Sequence, residues 1–143
     1  EILMQNPTFS SASMTDILTT QKNGVIAINN LNNTVSAIQT SMDGYLGTVT
    51  VTVPKNTSLL VRTGTGMVAS SITLVAGGSD SFIYDAVAVS LADTANKTNA
   101  IAVIPKAINT TSGNYVHHAY YTSGLVIITD ATQVVSVTYS ITS

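Results

Sequence analysis

The chain contains no cysteine and no tryptophan, and only five of its 143 residues are basic. Without thiols there can be no disulfides, no thiolate metal sites and no cysteine nucleophile. The basic residues, Lys22, Lys55, Arg62, Lys97 and Lys106, are scattered and never adjacent. A nucleic-acid partner needs a concentrated positive face to neutralise phosphates, and a polybasic membrane anchor needs the same. Neither is expected. Charged residues make up 8% of the chain, about a third of the globular norm. No apolar run approaches the ~18 residues of a membrane span.

What replaces charge is neutral polarity. The sequence holds 22 Thr, 16 Ser and 11 Asn, so hydroxyls and amides must do most of the hydration. Threonine is β-branched and suits a half-exposed strand, which makes its excess a sheet signal as well. Weak self-repulsion combined with many hydroxyls and amides suits a protein that packs into a larger assembly, and suits a secreted domain equally well.

Residues 1–12 show no sustained period and contain Asn6-Pro7 and a serine run. They read as an extended arm whose apolar residues, Ile2, Leu3, Met4 and Phe9, order against a partner. From Met14 the pattern changes. Met14, Ile17, Gln21, Gly24, Ile28, Leu31, Val35, Ile38 and Met42 follow one another at spacings of three and four, the a/d seam of a heptad repeat. Ser13 with Asp16 resembles a capping box, and Asp43-Gly44 is the expected stop, giving a helix over 13–43. Its flanking residues, among them Asn29, Asn30, Asn32 and Ser36, are neutral. A two-turn stripe would pack on its own domain. Four heptads, roughly 40 Å at 1.5 Å per residue, exceed what a domain of the remaining size can cover. Self-association along the seam is therefore expected, widened at Leu18 and Val25. Ile28 and Val35 at a with Leu31 at d suit two strands, while Ile38 at d and Gln21 at a pull toward three. The expectation is a homotrimer rather than a dimer.

From Tyr45 the period becomes two, with valine and threonine alternating to Val53. Further strands are expected over 57–63, 67–76, 81–84, 100–104, 115–121, 125–129 and 134–141, separated by Pro, Gly and Asn turns. The segment 86–98 reads equally as strand-plus-loop or helical turn. The predicted fold is mainly β: an antiparallel, jelly-roll-like β-sandwich over 44–143, preceded by the coiled-coil-forming helix.

Candidate chemistry is sparse. Gly64-Thr65-Gly66 precedes a strand, whereas a phosphate-cradling loop must precede a helix; a hairpin turn is expected. His117 and His118 are strand neighbours and should point to opposite faces, so they are poorly placed to share a metal ion. No nucleophile elbow of the G-x-S-x-G type occurs, and Asp80 and Asp85 read as turn residues. The Asn-x-Ser/Thr sequons at Asn32, Asn56, Asn96 and Asn109 are expected by chance at this threonine content. Neither catalysis nor a cofactor or metal is expected. Tyr115, Tyr120 and Tyr121 share one strand, and an exposed tyrosine cluster can stack on sugar rings, so a glycan-binding face is the second reading.

Gly66-Met67-Val68, Ile72 to Gly77, Ile83-Tyr84-Asp85, Ala100 to Pro105, Gly124 to Ile127 and Val135 to Ser140 fall in an order that resembles a module of small tailed-phage virion proteins. That family supplies head-decoration and fibre components. The resemblance covers residues 63–140 and rests on structural glycines, turns and apolar strands. The family's long alanine-rich stretch after Tyr-Asp is replaced here by Val87-Ala-Val-Ser-Leu-Ala-Asp-Thr94. The resemblance implies a place in the virion, either as capsid decoration protein or head fibre, with a major capsid or other virion protein as docking partner. A tail or neck fibre, or a receptor-binding tip, is the alternative. No site residues transfer from it.

Overall fold

A computed structural model describes residues 11–108 and 114–141. The chain divides into two units, Glu1–Ile38 and Gln39–Ser143. One helix, α1, runs Ser11–Leu46, longer at both ends than the 13–43 read from sequence. Gly44 does not stop it. The stop is Gly47, at φ +81°, whose N–H donates to the Asp43 carbonyl at 2.8 Å. A Cβ at Gly47 would lie 2.6 Å from the Thr138 methyl, so both the left-handed turn and the close approach require glycine. Tyr45 and Leu46, expected to open the first strand, are instead the last residues of the helix.

Eight strands follow: β1 Val49–Val53, β2 Ser58–Thr63, β3 Gly66–Val75, β4 Ser81–Asp85, β5 Ala100–Ile104, β6 Tyr115–Tyr121, β7 Gly124–Ile128 and β8 Val134–Ser140. They form two four-stranded sheets, ordered β1-β8-β3-β6 (sheet I) and β2-β7-β4-β5 (sheet II). Every pairing is antiparallel. Only the β4–β5 connection stays within a sheet; every other consecutive pair crosses from one sheet to the other. This corrects the hairpin expected at Gly64-Thr65-Gly66. The turn passes from β2 in sheet II to β3 in sheet I. A turn's composition fixes its backbone bend and not which sheet receives the next strand.

The sheets pack face to face around one core. Val53, Val68, Tyr121, Val135 and Val137 from sheet I meet Ile83, Ile104, Leu125 and Ile127 from sheet II. The valine–threonine alternation of β1 works as strand geometry requires. Val49, Val51 and Val53 pack on the core, while Thr50 turns outward and shares a 3.0 Å hydroxyl contact with Thr138 of β8. Gln133, wholly buried, is held by the Ser81 hydroxyl at 2.5 Å, by Thr73 at 3.0 Å and by the Pro105 carbonyl at 2.8 Å. A buried amide costs little only when its hydrogen bonds are made.

Sheet II is covered on both faces. On its outer side Tyr84 and Val126 pack with Ala86, Val89 and Ala92 of the segment that sequence left open. That segment is a loop containing a short 3-10 turn, Val89–Leu91. Asp93 holds it by accepting from the Asn96 amide at 2.9 Å and the Thr98 hydroxyl at 2.7 Å. Asn99 donates to the Leu91 carbonyl at 2.9 Å.

Candidate interaction surfaces

The first surface is the helix. Its opening turn carries no acidic residue and its last turn no basic one, so the helix dipole gets no compensation. Gly24 sits in its middle with nothing within 4 Å of the position a Cβ would take. A helix of this composition relies on packing rather than propensity. Along the seam Ile28, Leu31, Val35, Ile38 and Met42 are 54–61% exposed. Met14, Gln21 and Gly24 are exposed too, and Ile17 is half-buried. Leu18 and Val25 widen the stripe, while Ile26, two residues from Ile28, is exposed on the opposite side of the helix. Apolar residues at this density on one side are what a partner-facing helix presents. The arm residues Ile2, Leu3, Met4 and Phe9 lie outside the described residues, as does Asn109.

Leu46, 63% exposed, was missed by sequence reading. It lies one turn beyond Met42, and placing the helix stop at Gly47 would have revealed it.

The tyrosine cluster does not form one face. Tyr121 points into the core, 1% exposed, and its hydroxyl donates to the Ser140 carbonyl at 2.6 Å. Tyr115 is half-buried, donating to the Ala107 carbonyl at 2.5 Å. Tyr120 alone of the three is open to solvent. Alternation along β6 sends adjacent tyrosines to opposite sides, and this removes the stacking platform that the glycan reading needs.

The two histidines flank a register shift opposite Ala69. His117 Nε2 lies 2.6 Å from the Ser71 Oγ, and burial, with His118 beside it, pushes its pKa below the ordinary value. A serine–histidine contact can be half of a nucleophile pair. Here Ser71 is buried, and the charged group acting on the imidazole is another histidine, not an orienting carboxylate. His118, at φ +47°, stacks on Tyr45 with ring centroids 3.6 Å apart.

The carboxylates are engaged in holding turns. Burial opposes the charge of Asp85. The Thr122, Ser123 and Gly124 amides and the Thr122 hydroxyl outweigh that and hold its pKa below the ordinary value. Asp130 is depressed further by the Ser79 hydroxyl and the Thr132 and Gly78 amides. Asp80 accepts from the Lys106 amide at 2.8 Å. Among the described residues no three of His, Cys, Asp and Glu gather where they could hold an ion. No described helix is long and apolar enough to cross a membrane.

Within the second unit, two depressions mark the outer side of sheet I. A small one of about 220 Å³ is lined by Thr40, Ser41, Gly44 and Tyr45 of the helix end with Met67 and Tyr120 of the sheet. A shallow one of about 610 Å³ lies among Thr52, Pro54, Lys55, Val75, Thr132 and Val134. Comparison of the chain with protein-family models, with curated proteins and with solved structures finds no match.

Proposed function

We propose that this chain is a non-enzymatic structural component of a phage virion, a capsid decoration protein or head fibre. It assembles as a homotrimer through its helix and docks on a major capsid or other virion protein. The observation carrying this reading is the seam. Five large aliphatic side chains, Ile28 to Met42, stand more than half exposed at heptad spacing, flanked by asparagines and serines that add no repulsion. A left-handed coiled coil buries such a stripe. The β half is read as a jelly roll. Eight antiparallel strands in the orders β1-β8-β3-β6 and β2-β7-β4-β5, with one connection inside a sheet, support it. The resemblance of residues 63–140 to the virion module supports the location, and the arm Ile2, Leu3, Met4 and Phe9 is the proposed attachment element. The occupation of Asp85, Asp93 and Asp130 by loop amides and hydroxyls favours a holding role over turnover.

Light scattering on the full chain tests the assembly: three copies are expected, and a monomer at micromolar concentration overturns the reading. Deleting residues 1–12 should abolish attachment to particles without changing the melting of the β half. Attachment that survives the deletion moves the docking contact to the sandwich.

A further inference from the structure

Two exposed tyrosines that are far apart in sequence meet at the small depression on sheet I. Thr40, Ser41, Gly44 and Tyr45 of the helix end enclose it with Met67 and Tyr120 of the sheet, around a volume of about 220 Å³. All six residues belong to the second unit, Gln39–Ser143. Met67 is registered opposite Tyr120 in the β3–β6 pairing and is 6% exposed. With the buried Gly44 it forms the base. Tyr45 and Tyr120 stand more than half exposed around it.

One of the two rings is held in place. His118, at φ +47°, lies in the left-handed region that a residue with a Cβ takes only at a cost. Its imidazole lies against the Tyr45 ring, with centroids 3.6 Å apart and planes 25° apart. His118 does not line the depression itself, so the stack braces Tyr45 without filling the space beside it. An exposed tyrosine ordinarily loses rotamer freedom when a ligand orders it; here folding has already removed that freedom. Strained backbone that orients an exposed aromatic is a device of ligand clamps.

The lining selects a chemical class. It carries no charged residue, so it offers no counter-charge to a phosphate, a carboxylate or an ammonium. Thr40, Ser41, Tyr45 and Tyr120 each bring a hydroxyl, and two of these sit on aromatic rings. A sugar ring is the complement of such a lining. Its C–H face is weakly positive and lies on the negative face of an aromatic ring. Its edge of hydroxyls both donates and accepts, as threonine and serine hydroxyls do. The volume falls below the roughly 300 Å³ at which pockets for drug-sized molecules begin, which suits one ring rather than a peptide segment.

We propose that this depression binds a neutral hexopyranose, stacked on Tyr120 and Tyr45 with its hydroxyls toward Thr40 and Ser41. The three tyrosines of β6 cannot make a sugar platform among themselves. Tyr120 makes one with a tyrosine from the helix end. This site does not depend on the helix associating with itself, so a monomeric chain would still carry it.

Saturation-transfer NMR on the full chain tests the site. The probes are the methyl glycosides of glucose, galactose and mannose, together with N-acetylglucosamine, each at tens of millimolar. N-acetylneuraminic acid and a proline-rich peptide serve as comparisons. Transfer to the ring C–H protons of at least one neutral sugar is expected, with none to the acidic one. Tyr120→Ala and Tyr45→Ala should each weaken that binding about tenfold, the loss of one stacked ring. Tyr120→Phe and Tyr45→Phe keep the stacking face and should retain most of it, which separates lost stacking from lost folding. Val103→Ala, on the exposed β5 edge, should change nothing. Silence from all four neutral sugars, or binding that survives Tyr120→Ala undiminished, removes the site. Tighter binding of the acidic sugar or of the peptide overturns the class of ligand.

Discussion

Leu31 and Leu125 are the same side chain in opposite circumstances. In the helix Leu31 is 61% exposed; between the sheets Leu125 is 0% exposed. Full burial of a leucine is worth about 2 kcal/mol. The β half collects that term many times over inside one chain. The helix collects almost none of it, although its stripe is as regular as any strand of the head. The two regions share a vocabulary of aliphatics, threonine and asparagine, yet one completes its packing alone and the other leaves its apolar stripe exposed. Composition does not separate these cases; the period of the apolar residues and the length over which it is sustained do.

The largest effect should come from Ile28→Asp combined with Val35→Asp. Each places a carboxylate in a seam that association would dry, at a cost of several kcal/mol. Scattering should then report single chains while the β circular-dichroism signal and its melting stay unchanged. A head that unfolds along with the assembly would break the comparison. Leu125→Ala is its converse. A cavity between the sheets should lower head stability by about 2–5 kcal/mol, read by thermal melting, with the assembly intact below the new transition.

Acid sharpens the contrast further, because among the described residues the groups with shifted protonation lie in the β half. His117 is held below its ordinary value of 6.5 by burial. Its contribution is fully present above that pH and is lost as pH falls through it, since the unfolded chain takes up the proton first. Asp85, Asp93 and Asp130 are likewise depressed from 3.8, so their contributions disappear below about pH 4. Head melting should therefore decline in two steps on acidification, and His117→Gln should remove the upper one. The smallest change is Gly24→Ala, which relieves about 1 kcal/mol of helix penalty per chain and should tighten association without altering the head's melting.

Much of the head was legible because burial writes itself locally. Val49, Val51 and Val53 alternate with threonine, and one face of β1 is indeed the buried one. Sheet membership was not legible. Val49 pairs with Tyr139 and Leu59 with Ile127, partners that no local period announces. The helix end was misplaced for a related reason: Gly44 and Gly47 look alike in sequence, and only the approach of Thr138 and Ala69 selects the second as the stop. The tyrosines of β6 were grouped by adjacency, when alternation had already divided them.

The pairing of β1 with β8 also determines how the head bears load. Val49, where the chain enters from the helix, lies opposite Tyr139, where β8 nears its exit, and the Thr48 amide donates to the Tyr139 carbonyl at 2.9 Å. Antiparallel rungs run perpendicular to the strands. A tug on the helix against a grip on the chain's C-terminal end would peel the ladder from Val49–Tyr139 onward, one rung after another. The same tug resisted at the far turns, near Pro54 and Thr132, would strain all five registered pairs from Val49 to Val53 together. A head gripped at that far end is a sturdier tether than one held by its own tail.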